Sequence, residues 1–355
     1  MKIEQANIFK HDMQLKAPWA IAGRVMESVE NIFIELTTEK GIIGLGSGAP
    51  SPEVAGESVE ESYETIKHFS KNLIGINVEN TNHIFELLEN NLKHFPAARS
   101  AVDMAIYDLL SKLENKSLID FLGRSHKTLP TSITIGVSSF KKTIDDAKTH
   151  IDNGFSHLKI KIGENVDEDI EKVSALFDLS PDSVAIRVDA NRGYSLKDLE
   201  KFYDRTHHLG VELIEQPLEV NKDKEMLNFS DDIRAICVAD ESLHSPDDAI
   251  ALVSNPKPFG VFNIKLMKCG GIHQALKIAT IAENEGIGLM WGCMDESKIS
   301  IAAALHAAFS SSATQYIDLD GFFDLGWDLV SGGYICKNGM MRTNGELGLG
   351  VYYNE

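Results

Sequence analysis

At 355 residues with 43% hydrophobic side chains, the chain is too long for one small core, so two domains, or a barrel with a cap, are expected. A net charge of −19 excludes nucleic acid and anionic membrane surfaces as natural partners, and any anionic substrate then needs a local cation or metal. Cys237, Cys269, Cys293 and Cys336 are scattered without C-x-x-C spacing, no apolar run reaches membrane-spanning length, and residues 1–20 lack a signal-like core, so a soluble cytoplasmic protein with free thiols is expected.

Residues 1–122 read as an α+β domain. Strands are expected at 2–9 and 28–38, the second alternating through Val29, Ile32, Ile34 and Leu36, with residues 41–44 completing a hairpin-like sheet. Helices are expected at 58–73 and 97–112, the latter carrying Ala101, Met104, Ala105, Asp108 and Leu109 at the spacing of a buried stripe. Two Gly/Pro-marked stretches, 16–26 and 46–55, read as loops able to lie over a neighbouring site.

From residue 131 a regular alternation begins. Strands are expected near 132, 158, 186, 213, 238, 262, 289 and 317, separated by helices with Ser, Asp or Pro at their starts and Gly or Pro at their ends. Strict β/α alternation of this count predicts a parallel β/α barrel over 123–320, with its site at the C-terminal ends of the strands. Residues 321–355 carry no further long amphipathic helix and are expected to return to the first domain.

The stretch 155–163 organises the rest. Period-two alternation puts Lys159 and Lys161 on one face of a strand and Leu158, Ile160 and Ile162 on the other. Two ammonium groups on one face call for anions opposite them. Asp189, Glu215 and Asp240 end the next three strands at steps of 28, 26 and 25 residues, and Lys265 follows 25 residues later. Three hard oxygen donors without His or Cys suit Mg²⁺ rather than Zn²⁺, and Asn191 is placed to orient Asp189. Each acid taken singly is equally well an ordinary polar strand end. Lys161 and Lys265, on the second and sixth strands, would face each other across the barrel axis, an arrangement suited to taking a proton from one side of a carbon α to a carboxylate and returning it from the other. Lys159 reads as a supporting cation or a salt-bridge partner of the acids. Asp318 and Asp320, at i and i+2 on the eighth strand, suit a substrate ammonium. Asp295 either contacts substrate or belongs to the cap of the next helix, with Ser297 read as that cap.

These residues resemble the enolase superfamily, its muconate-lactonizing-enzyme subgroup, and within it the dipeptide epimerases. The resemblance rests on residues 101–109 (AVDMAIYDL) with Lys112, Lys159-Ile160-Lys161, Asp189-Ala190-Asn191, Glu215-Gln216-Pro217, Asp240-Glu241-Ser242, residues 263–271 (NIKLMKCGG) and Glu296-Ser297. It implies an α/β fold, a modified (β/α)7β TIM-type barrel with an N-terminal capping domain. It also implies one Mg²⁺ on Asp189, Glu215 and Asp240, acid/base roles for Lys161 and Lys265 with Lys159 assisting, and substrate contact at Thr134. Asp318-Leu319-Asp320 resembles the D-x-D motif that holds a dipeptide's α-ammonium. In the lysine motif Lys265 is matched to the catalytic position, and Lys268 is expected off the strand face. The implied reaction is two-base inversion at the C-terminal residue of an L,L-dipeptide through an enediolate. A cycloisomerase, an o-succinylbenzoate synthase and a catalytically silent binding protein are the alternatives. Ser47 and Asp295 depart from the pattern common in relatives. The stretch 17–26, with Trp19, Ile21 and Arg24, is mostly apolar and is expected to favour hydrophobic or aromatic second residues after a small first one. An Ala-Glu dipeptide paired to Arg24 is the runner-up. A homo-oligomeric assembly is left open.

Overall fold

The computed structural model describes residues 1–21, 24–181 and 183–354, without the side chains of 17–21 and 24–26. The expectations for Trp19, Ile21 and Arg24 as side chains facing the substrate fall outside the described residues.

The cap opens with an antiparallel sheet of three strands, Ile3–Ile21, Arg24–Thr38 and Ile43–Gly48. The first strand runs well beyond the expected 2–9, and the backbone of the stretch read as a loop continues the pairing up to Ile21 opposite Arg24, after a register shift between Gln14 and Trp19. Pro18 suggests a loop in sequence, but the strand continues past it to Ile21. One sheet face buries Ile32, Ile34 and Leu36. Gly44, Gly46 and Gly48 let the third strand press directly on the helix Pro96–Leu113, because a Cβ on Gly46 would stand 1.8 Å from the Ala101 carbonyl oxygen. The helix Val59–Phe69 starts on a reciprocal Ser58/Glu61 capping box. The helix Thr81–Leu92, not expected from sequence, buries Ile84, Leu88 and Leu92 at i, i+4 spacing.

The barrel strands are Ile133–Ile135, His157–Lys161, Ala185–Asp189, Leu213–Glu215, Cys237–Ala239, Val261–Ile264, Gly288–Gly292 and Thr314–Asp318. They lie side by side in chain order, every neighbouring pair parallel, as the regular step predicts. A parallel bridge from Thr131 to Ile317 closes the ring between the first and last strands. Helices follow the first seven strands, capped by side chains such as Ser139, Asn165, Ser195, Ser245 and Ser297. The eighth strand leads only into the short turn Gly321–Phe323, which makes the barrel (β/α)7β.

Among the contacts that seat the cap on the barrel, two stand out. Asp103 of the cap accepts the Ile272 and His273 amides at 2.6 and 3.2 Å, capping the barrel helix Ile272–Glu285. On the opposite flank, the Lys16 amide donates to Asp324 O and the Gly326 amide to Gln14 O, each at 2.8 Å, so the first cap strand is stapled to the segment after the eighth barrel strand. The C-terminal segment touches both parts. Met340–Thr343 pairs with Leu129–Pro130, and the Leu349 amide donates to Asp108 of the cap at 2.8 Å. Among the described residues, no helix is long and apolar enough to cross a membrane.

Candidate active site

The strand ends face a cavity of about 560 Å³ between barrel and cap. Its lining includes Thr134, Lys159, Lys161, Lys265, Asp295, Asp318 and Asp320, all singled out from sequence. It also includes Glu30, Glu53, Cys293 and Asp324, which were not.

Lys161 closes the second strand and Lys265 follows the sixth, so in the ring of eight they stand four strands apart by either route. The Lys161 ammonium donates to Asp189 at 2.7 Å and to Asn191 Oδ1 at 2.8 Å. Asn191 therefore holds the lysine as well as the acid, for its own amide donates to Asp189 Oδ1 at 2.9 Å. Lys265 donates to Asp240 at 2.8 Å. Burial works against the charge of Lys265, but Asp240 and Glu215 outweigh it and hold its ammonium above the usual lysine range.

Lys159 is nearly inaccessible and lies 2.7 Å from Asp318, 2.8 Å from Glu215 and 3.1 Å from Asp189. Against its own burial, those three carboxylates keep it well above the ordinary lysine value. Lys268 lies off the strand, as expected, yet it reaches the site. The short helix Leu266–Cys269 turns it inward onto both the carboxylate and the carbonyl of Asp240, where it is buried.

Asp189, Glu215 and Asp240 are all buried. Asp189 and Asp240 are held below the usual carboxylate range because their lysines outweigh their burial. Glu215 is pushed up to about 8 by burial and by Asp189, although Asn263 donates to it at 2.9 Å. Among the described residues, no three Asp, Glu, His or Cys side chains stand in ready ligand geometry. Each acid is turned instead onto a lysine. The set still fits Mg²⁺, since its donors are hard oxygens and Lys159 demonstrates that Asp189 and Glu215 reach one shared cation.

At the eighth strand, Asp320 accepts the Thr134 amide at 2.7 Å, and burial with Asp318 beside it raises its carboxyl to about 7. Asp318 gives one oxygen to Lys159, while its Oδ1 is buried with no partner. An orphaned acceptor beside a second carboxyl suits an entering ammonium. Asp295 makes no hydrogen bond or ion pair among the described residues. Burial and the neighbouring Asp324, Asp320 and Glu296 raise it to about 7. Ser297 is the helix cap, accepting from the Ile299 amide and donating to Asp328. Ser47 is buried in the cap sheet.

A cap set over a closed parallel barrel, with three buried acids and two opposed lysines at the strand ends, is the architecture of a class of cap-and-barrel enzymes. The chain belongs to the mandelate racemase/muconate lactonizing enzyme family of the enolase superfamily. Residues 3–123 match the model of that family's N-terminal domain, and residues 142–355 the enolase C-terminal domain-like model. It is 46% identical over 352 residues to an L-Lys-D/L-Arg epimerase of Desulforapulum autotrophicum, covering 99% of both chains. It is 35% identical to a hydrophobic dipeptide epimerase of Enterococcus faecalis, again over 99% of each. A solved dipeptide epimerase from Methylococcus capsulatus, complexed with Mg and L-Arg-D-Lys, superposes with a TM-score of 0.97 at 41% identity, covering 99% of this chain and all of that one.

Proposed function

We propose that this protein is a Mg²⁺-dependent dipeptide epimerase that inverts the α-carbon of the C-terminal residue and prefers dipeptides with cationic side chains. The observation that carries the reaction is the opposition of Lys161 and Lys265 across the ring. One lysine accepts the α-proton from its side of the substrate, and the other delivers a proton from the far side, so the centre inverts. Asp189, Glu215 and Asp240 would hold Mg²⁺, which when bound would supply positive charge where negative charge develops next to the α-carbon. Asp318 and Asp320 hold the dipeptide ammonium and thereby set which α-carbon lies between the lysines. A cycloisomerase substrate without an ammonium would meet repulsion from this acid pair.

The preference for cationic side chains rests on the cavity's charge. Its three lysines already face carboxylates, and of the further acids in the lining Glu30 pairs with Lys10, whereas Asp295 and Asp324 add carboxylates that no ion pair among the described residues balances. Burying a Lys or Arg side chain among them is favourable, and burying an aromatic one would leave Asp295 desolvated without a partner. Dipeptides that the Desulforapulum and Methylococcus relatives are named for fit this lining. The hydrophobic preference expected from residues 17–26 is the second reading, favoured by the Enterococcus relative. A library of L,L-dipeptides varied at both positions, incubated with Mg²⁺ in D₂O, separates the two. Deuterium at the C-terminal α-carbon with loss of diastereomeric purity is expected first for Lys/Arg pairs. No exchange across the library would overturn the epimerase reading.

A further inference from the structure

A single buried ammonium group links two parts of the site that lie far apart in sequence. Lys159 touches the metal-side acids Asp189 and Glu215 and, from the eighth strand, Asp318. All four groups are buried, so their charges are poorly screened by water. A divalent cation taking Asp189 and Glu215 must take them from Lys159 and then lie beside its positive charge. Among the described residues, Asp318 is then the remaining carboxylate that pairs with Lys159. Asp320 shares the D-x-D motif but bonds the Thr134 amide and no lysine.

We propose that Asp318 is a positioning residue for the metal site. By holding Lys159 on the eighth-strand side, it frees Asp189 and Glu215 for Mg²⁺ and so sets metal affinity before any dipeptide binds. This goes beyond a role in gripping the substrate ammonium, for which Asp318 Oδ1 remains available on the same carboxylate. The inference rests on the reading that Asp189, Glu215 and Asp240 take Mg²⁺.

The test is calorimetric titration of Mg²⁺ into the full-length protein without dipeptide. The wild type, Asp318→Asn, Asp320→Asn, Lys159→Met and the Asp318→Asn/Lys159→Met double variant are compared. With Lys159 left to compete for the metal acids, Asp318→Asn weakens Mg²⁺ binding by about tenfold or more, while Asp320→Asn stays within about threefold of wild type. Lys159→Met binds Mg²⁺ more tightly than wild type, and adding Asp318→Asn to it changes little, since the coupling runs through the lysine. Equal affinities for wild type and Asp318→Asn would overturn the proposal, as would an equal loss in the Lys159→Met background. If circular dichroism shows Asp318→Asn unfolded, Lys159→Met decides alone, and weaker binding than wild type overturns the proposal. A wild type that binds no Mg²⁺ would remove the metal reading beneath it, an outcome distinct from either of these.

Discussion

Lys161 and Lys265 stand four strands apart in a ring of eight, each held by a different acid, Asp189 for the one and Asp240 for the other. Their opposition comes from topology. Eight parallel strands laid side by side in chain order must carry the second and the sixth to opposite walls. Each lysine is bonded to its own acid and not to the other's, so a substrate held between them would meet a separate group on each face.

Asp295 is the most direct handle on specificity. Replacing it by Asn keeps the shape and removes the charge that a cationic side chain would meet. The expected result is a fall in kcat/KM for Lys/Arg dipeptides of about 10–100-fold, the worth of one charge-assisted hydrogen bond, with hydrophobic dipeptides changed little. Steady-state kinetics on paired substrates checks this. A parallel loss on both would assign Asp295 to structure.

Stability depends on a buried acid in the cap. Asp108 accepts the Leu45 amide, the Leu349 amide and the Lys112 ammonium at 2.9, 2.8 and 2.7 Å, joining cap sheet, cap helix and C-terminal segment. Gly348 beside it has φ +65°, and a Cβ there would lie 2.0 Å from Asp108 Oδ1. Gly348→Ala is therefore expected to destabilise by several kcal/mol, through both backbone strain and displacement of that carboxylate, read by denaturant unfolding. Asp108→Ala, which leaves two buried amides unsatisfied and takes the counter-ion from Lys112, whose ammonium keeps the Ile43 carbonyl, should cost about 3–5 kcal/mol.

His306 makes stability depend on pH. It is buried on the barrel helix Lys298–Ser310, and its Nδ1 accepts the Ile119 amide of the cap helix Leu118–Leu122 at 2.9 Å, which requires an unprotonated nitrogen. Burial lowers its pKa from 6.5 to about 3. The unfolded chain therefore binds a proton that the folded chain refuses between those values. Its contribution is complete above pH 6.5 and is lost progressively as pH falls toward 3. His306→Gln should flatten the thermal-unfolding profile over that window, and an unchanged slope would contradict the assignment.

The barrel was legible because its signals are local and periodic. Lys159 and Lys161 share a face by the two-residue period, and the acids recur at one βα step because each sits at the end of a strand. The eighth strand's lack of a following helix agrees with the absence of a periodic stretch after Asp320, whereas the short helix Asp231–Ile236 was not read from the sequence. The further acids that line the cavity were not legible. Glu30, Glu53 and Asp324 come from a cap strand, a cap loop and the turn after the last barrel strand, and no spacing relates them. Lys268 lies off the strand, as read, but its contact with Asp240 was not legible, because it depends on the short helix that begins after Lys265 and brings Lys268 back onto that acid. The helix Thr81–Leu92 escaped notice because its N-cap, Asn80, makes no side-chain cap, leaving only its apolar stripe as a signal.

The central claim is that two opposed lysines each serve one face of the same carbon. Proton NMR in D₂O with Lys161→Ala and Lys265→Ala, each given the L,L- and the L,D-diastereomer of one Lys/Arg dipeptide with Mg²⁺, tests it most directly. Each variant should lose epimerisation by about three orders of magnitude or more, the scale of a lost general base. Each should still exchange the α-proton of only one diastereomer, and the two variants should retain opposite ones. Exchange of both diastereomers by either variant, or of the same one by both, would contradict it.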